Sequence, residues 1–273
     1  MPAIQSLKKQ LKGVLSTKKL TKAMKTVSTV KFSKLNAAYN EYSAYGRQCK
    51  KVFSSFGQEL IEAVAESNPL ASEAVIVIAS NKGLCGNFNA ELFEFALEQL
   101  KNFKNPHIIA CGKKTVGFLK SKNIALKKEV ILSDVPDYNQ VAELFDEVVA
   151  LRKSGEVSKV YIIYPAYKNM MQQIPTCTDF FDVKHKKSEN TAVFIPEKQT
   201  INNIVSKIVF KAMFYEIVLE AAIGAQAATL MTMRSAYDTA TEYAENLDKE
   251  INRLRQSAVT ADVIETSAER ETK

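Results

Sequence analysis

Acidic residues are missing from the start of this chain: none occurs before Glu41. The stretch "KKLTKAMKTVSTVK" (residues 18–31) sets lysines on every turn of an amphipathic helix, yet the offset Glu/Lys pairs that steady a surface helix are unavailable to it. The countercharge must come from outside the segment. Cysteine and histidine are also sparse. Cys49, Cys85, Cys111 and Cys177 form no CxxC pair, and His107 and His185 stand apart from them. This argues against a zinc site or a disulfide scaffold and makes a reducing compartment the default. No run of eighteen apolar residues exists, and the lysine-dotted N-terminus lacks the short apolar core of a signal peptide, so a soluble, cytoplasmic chain is expected. Neither GxGxxG nor the P-loop spacing occurs, so the usual glycine-rich phosphate cradles are lacking.

What is present is apolar bulk: 46% of 273 residues, enough for a core in one large or two small domains. The net charge of +7 admits nucleic acid, an anionic membrane surface or an acidic protein as partner without choosing among them. Three zones follow. Residues 1–67 are free of proline after Pro2 and carry Ile4, Leu7, Leu11 and Val14, then Leu20, Met24 and Val27, at three- and four-residue steps. That spacing predicts a long helix whose stripe is interrupted near Ser16–Lys19, where a supercoil would stutter, and which is weakened at Gly46 and Gly57. In residues 68–199, "AVIVIAS" (74–80), "HIIACG" (107–112) and "KVYIIYP" (159–165) read as strands, with helices over 90–103, 113–122 and 140–155 between them. The alternation predicts a mostly parallel sheet covered by helices, with "QQIPTCTDFFDV" (172–183) and "NTAVFIP" (190–196) as a closing antiparallel pair.

Residues 200–273 hold no proline and a single glycine, Gly224. About sixty helical residues would make a rod roughly 90 Å long, more than one domain of this size can bury. Within it Leu230, Met233, Tyr237, Ala240, Ala244, Leu247, Ile251, Leu254 and Ala258 keep a strict 3-4 alternation, the period of a left-handed two-helix coiled coil. The N-terminal helix is its economical antiparallel partner. The fold expected is therefore α/β: a Rossmann-like α/β domain (68–199) inserted between two long terminal helices (1–67 and 200–273) that form an antiparallel left-handed coiled coil. A helical bundle or a dimerising coil is the competing pattern, and it leaves the lysines unexplained.

Candidate chemical sites are few. "ASNKGLCGNFN" (79–89) lies at a strand end, where α/β proteins bind ligands, but Lys82 precedes the glycines instead of following them. A structural tight turn, capped into the next helix by Asn87 or Asn89, outweighs a nucleotide site. Cys85 has no base in recognisable relation to it and reads as a small core thiol. The acidic "ELFDEVV" (143–149) reads as a solvated helix face. The basic first helix offers nucleic acid an electrostatic footprint, yet Phe32 and Tyr39 are not interleaved with the lysines as a stacking platform requires.

Three segments, in this order, carry a family resemblance: "KKLTKAMKTVSTVK", "SNKGLCGNFN" (80–89) and "NRLRQSAVT" (252–260). They resemble motifs of the γ-subunit family of F-type ATP synthases, and the resemblance spans nearly the whole chain. It implies a non-catalytic rotor shaft that sits in an α3β3 hexamer of α and β subunits, with its foot on the ε subunit and the membrane ring of c subunits. Such a shaft couples ion-driven rotation to the catalytic sites of β, at the cytoplasmic face of a bacterial membrane, with no cofactor, metal, nucleic acid or small-molecule substrate of its own. Carried over by position, Lys22, Met24, Lys25, Arg255, Gln256 and Thr260 are the expected contacts with the hexamer, and Gly83, Leu84, Cys85 and Gly86 form the signature turn. The competing functional reading is a flavodoxin-like nucleotide-binding enzyme with helical extensions. Departures from the family pattern are Asn81 for Asp, Asn87 for Gly, Ala225 and Thr229 where Glu and Arg are usual, and the charged tail "VIETSAERETK". They predict an altered turn and a missing ion pair.

Overall fold

The structure, a computed structural model, describes residues 2–56, 71–182 and 198–271. In chain order the elements are α1 (Pro2–Phe56), β1 (Ser72–Ile78), α2 (Phe88–Leu100), β2 (His107–Cys111), α3 (Lys113–Ser121), β3 (Lys128–Val130), α4 (Tyr138–Lys153), β4 (Val157–Asn169), β5 (Gln172–Asp179) and α5 (Lys198–Glu271). The result is a mixed five-stranded α/β sheet framed by two long terminal helices, one of 55 and one of 74 residues.

The strand order is β3-β2-β1-β4-β5, with β1 to β4 parallel and β5 antiparallel to β4. The run "AVIVI" is continuously apolar because β1 is covered on both faces. Ala74, Ile76 and Ile78 pack with Leu144, Phe145 and Val148 of α4, while Val75 and Val77 pack with Leu92 of α2 and Leu119 of α3. The expected partnership of 172–183 with 190–196 is corrected: β5 pairs with β4, from Tyr161↔Asp179 to Asn169↔Gln172. β4 runs on past Ile163, its last residue paired to β1, so the chain folds back at Met170–Met171 and completes the ribbon with its nearest neighbour. Pro165 and Pro175 face each other there, at positions where a missing N–H costs no central ladder bond. Residues 190–196 and Gly57 lie outside the described residues.

By packing, the chain divides into two compact units, Ser28–Thr229 and Met1–Val27 with Leu230–Lys273. In the first, the foot unit, α5 is a core element: Val209, Phe210, Phe214, Val218, Leu219 and Ile223 are buried against the sheet layer. Phe180 meets Phe214 edge-on at 5.7 Å and Phe145 at 6.1 Å. Burying one such ring contributes about 2–3 kcal/mol, which explains why a helix drawn from the far end of the chain closes this core. Tyr42 of α1 packs against Tyr215 at 4.5 Å and Tyr138 at 6.2 Å, and the Tyr215 hydroxyl donates to Pro136 O at 3.0 Å. The helix runs through Gly46 without a break, contrary to the expected weakening. Gly46 is buried, and the Glu216 carboxylate of α5 occupies the space a side chain would need.

In the second unit, Leu230, Met233, Ala240, Ala244, Leu247 and Ile251 of α5 are buried, and Tyr237, Leu254 and Ala258 are half-buried. On α1, Ile4, Leu7, Leu11, Val14, Lys18, Thr21, Met24 and Lys25 are the sheltered positions of this unit. The interruption expected near Ser16–Lys19 is therefore absent. The 3-4 alternation passes straight through Lys18, Thr21 and Lys25, whereas Leu20 is 60% and Val27 55% exposed. Polar residues fit this seam because each can be satisfied locally. Thr21 donates to the Thr17 and Lys18 carbonyls at 3.0 and 3.1 Å, and the Lys18 and Lys25 ammoniums lie 5.6 and 5.4 Å from the Tyr237 ring centre. Of Lys18, Lys19, Lys22 and Lys25, it is Lys19 and Lys22 that stay on the open surface.

Candidate functional site

The crevice beyond the carboxyl ends of β1 and β4, between oppositely wound halves of the sheet, is where an open α/β fold takes a ligand. Here it is filled by the chain itself. Cys85 and Phe88, from the turn after β1, pack with Ala225 and Ala228 of α5 in a small buried cluster. A side-chain carbon at Gly224 would begin 3.4 Å from Phe88 Cε2 and 3.2 Å from Gln173 Cγ, so α5 lies close against both the turn and the β4–β5 ribbon. Glu220 Oε1 accepts the Tyr167 backbone N–H at 2.8 Å, beside the irregularity between Tyr167 and Asn169, and so ties the ribbon to α5.

The turn itself is held from within. Leu84 has φ +65° and Gly86 φ +58°, and a non-glycine residue in that region costs about 1 kcal/mol, so the surroundings must impose the shape. They do so through Asn89, whose amide donates to Lys82 O at 3.3 Å and to Cys85 Sγ at 3.2 Å. The side-chain cap expected of Asn87 or Asn89 is corrected: Asn87 is the N-cap residue of α2 but makes no side-chain cap bond, and Asn89 reaches back to the turn instead. Cys85 is buried and hydrogen-bonded in this way, and Leu84 stands 58% exposed.

Two polar links join the turn to the loop between β3 and α4. The Asn81 side chain donates to Leu132 O at 2.6 Å and accepts from Lys113 N at 3.1 Å. Next to it, Asp134 Oδ2 takes the ammonium of Lys82 at 3.0 Å and also that of Lys31 from α1. Burial pushes the Asp134 carboxyl up, but the hydrogen bonds and charges of the two lysines outweigh it and hold the pKa at about 2. The same contacts raise Lys82. Cys111, wholly buried in β2, is pushed up to about 12 by burial, which leaves it without nucleophilic character. Among the described residues no group of three or more His, Cys, Asp or Glu is placed to hold a metal, and no helix is long and apolar enough to cross a membrane.

The residues expected to meet partners are distributed as follows. Lys22 of α1 and Arg255, Gln256 and Thr260 of α5 are exposed, with Thr260 Oγ1 donating to Gln256 O at 2.9 Å. Met24 and Lys25 are half-buried at the seam.

A family model described as ATP synthase matches residues 3–268. The chain belongs to the ATP synthase γ-chain family. It is 27% identical to the ATP synthase gamma chain of Desulfitobacterium hafniense and 28% identical to that of Fusobacterium nucleatum, covering 97% of this chain and of the relative in each case. The fold is similar to a rotor chain of the Euglena gracilis mitochondrial ATP synthase, with TM-score 0.65 and 15% identity over 94% of this chain and 99% of that one. A chain from the central stalk and c-ring structure of the Tetrahymena thermophila mitochondrial enzyme matches with TM-score 0.59 and 20% identity, over 80% of this chain and 99% of that one.

Within this γ-chain family the departures acquire physical reasons. Asn81 uses both ends of its amide, and an aspartate there could not donate to Leu132 O. Asn87 sits at φ −82°, a conformation that requires no glycine. Where Glu and Arg are usual, Ala225 joins the Cys85–Phe88 cluster and Thr229 donates to Ala225 O at 2.8 Å, so apolar contact stands in place of the ion pair. Two features escaped sequence reasoning. Asp134 lies in a short loop between β3 and α4 with no motif around it, and the polar seam was hidden because lysines are ordinarily read as surface.

Proposed function

We propose that this chain is the central rotor shaft of an ATP synthase, turning inside an α3β3 hexamer with its foot on the ε subunit and the c-subunit ring, at the cytoplasmic face of a bacterial membrane. That its relatives are ATP synthase gamma chains and that its fold is shared with chains of an ATP synthase rotor and central stalk support this reading. The observation that carries it is an inversion on α1. Lys18, Thr21 and Lys25 are turned inward, while Leu20, Ala23, Val27 and Val30, at 3-4-3 spacing two residues out of step with the seam, face outward and exposed. An isolated soluble helix pair would gain by the opposite arrangement. A helix surrounded by other subunits gains by this one.

In this role the chain does no covalent chemistry. It biases the β subunits by offering each a different face, and the bias equals the difference in contact free energy between hexamer states. Moving a two-state site from mostly one form to mostly the other takes about 5.5 kcal/mol. Re-covering about half of Leu15, Leu20, Val27 and Val30 contributes about 1 kcal/mol each, which together is of that order. Exposed Lys22 of α1 and Arg255, Gln256 and Thr260 of α5 add directional polar contacts. The nucleotide-binding alternative is disfavoured because α5 occupies the crevice such a ligand would use.

Co-expression with the α and β subunits tests the proposal. The chain is expected to co-purify at one copy per hexamer, and Leu20→Asp with Val27→Asp to weaken that retention at least ten-fold. A chain that stays monomeric in the presence of both subunits would sink the reading.

A further inference from the structure

Asp134 joins elements that are remote in sequence. Its carboxylate, with 17% side-chain exposure, receives Lys31 from α1 and Lys82 from the turn after β1, and Asn81 fastens that turn to the same loop through Leu132 O and to the start of α3 through Lys113 N. Lys31 lies in the first turns of α1 within the foot unit. Farther along, α1 meets the foot through ring packing at Tyr39–Tyr167 and Tyr42–Tyr215 and through buried Leu35. The two kinds of contact resist different motions. Rings and aliphatic groups oppose separation but have little directional preference, whereas a charge-assisted hydrogen bond has a defined donor and acceptor geometry and resists sliding and twisting. One exposed ion pair would add little. This carboxylate is largely sheltered, shared by two ammoniums and braced by a neighbouring amide.

The geometry points to Asp134 as a positioning residue for torque transfer, keying α1 through Lys31 to the loops at the carboxyl edge of the sheet so that the helix cannot slip against the foot under load. The inference rests on the rotor reading and adds a residue outside the hexamer-facing surface. It is a mechanical role, so its signature is a loss of coupling without a matching loss of ATP turnover.

The test uses the complete ATP synthase carrying variants of this chain, reading ions pumped per ATP hydrolysed. Asp134→Asn is expected to lower that ratio at least two-fold while the hydrolysis rate stays within two-fold. Lys31→Asp alone is expected to do the same, and Lys31→Asp combined with Asp134→Lys to restore the ratio, with Lys82 free to turn into solvent. An unchanged ratio in Asp134→Asn, or a loss that the charge swap fails to restore, overturns the inference. If Asp134→Asn complexes do not assemble, Lys31→Met, which keeps the aliphatic stem and removes the charge, is read with the same two outcomes. Failure of the unaltered chain to assemble with α and β is a different result and counts against the rotor reading itself.

Discussion

Asp134 also makes a prediction at the scale of the single residue. Its folded-state pKa of about 2 lies below the ordinary 3.8 because the hydrogen bonds and charges of Lys31 and Lys82 outweigh its burial. A depressed carboxylate adds stability that is fully present above its unfolded pKa and is lost as pH falls through the folded value. The foot of the wild-type chain should therefore lose stability relative to Asp134→Asn as pH drops from about 4 to about 2. Paired denaturant melts across that range, followed by near-ultraviolet circular dichroism of the tyrosines, check this; parallel curves for the two chains would refute it. Nothing in the sequence marks Asp134, because its partners Lys31 and Lys82 become neighbours only once the sheet has formed. The signature turn is different. Its glycines and Asn89 lie within a few positions of one another, so a tight turn was legible, and what escaped was which asparagine does the clamping.

Among the elements, the connection from β2 into α3 is the most constrained. Gly112 has φ +103°, its N–H donates to Val130 O at 2.9 Å, and an added Cβ would sit 2.4 Å from Ala79 O. No rotation of a flexible neighbour relieves a clash with backbone. Gly112→Ala should cost the foot about 2–4 kcal/mol, since it combines left-handed strain with displacement of a central strand end. A shift of the foot's urea midpoint measures it, and a change below about 0.5 kcal/mol would show the backbone to be more yielding than drawn. The strands around this point were legible from their apolar runs, within two residues at most ends. The short β3 was not, because three residues of mixed polarity carry no periodic signal and pair only where β2 presents an open edge.

For the whole molecule, the two long helices serve different surroundings along their lengths. α5 is wrapped into the foot core up to Thr229, and from Leu230 onward it offers only a narrow seam. The exposed Arg255 and Gln256 belong to that second stretch. Replacing both with Ala should leave the foot's stability within about 0.5 kcal/mol, as expected for exposed sites, while lowering retention in the hexamer or the yield of ATP synthesis several-fold. Gel filtration of the assembled complex together with a synthesis assay decides it, and unaltered assembly and synthesis would remove these residues from the contact set. Val259, Val263 and Ile264 are exposed toward the end of α5, so the charged tail residues do not make that stretch uniformly polar.

The sequence by itself determined the elements whose signals are local. The absence of proline and the near absence of glycine allow two long helices, alternating apolar runs specify a covered parallel sheet, and the 3-4 spacing from Leu230 to Ala258 marks a seam. Three motifs in order already identified the family. Only the tertiary structure decided which side of α1 is the inside. The apolar residues Leu20 and Val27 and the polar Lys18, Thr21 and Lys25 compete for one seam, and hydrophobicity alone favours the apolar set. The outcome is settled by continuity of the 3-4 register with Leu11 and Val14 on one side and Ser28 and Leu35 on the other, and by Tyr237, whose ring accepts the two ammoniums. That choice leaves an apolar face of α1 exposed.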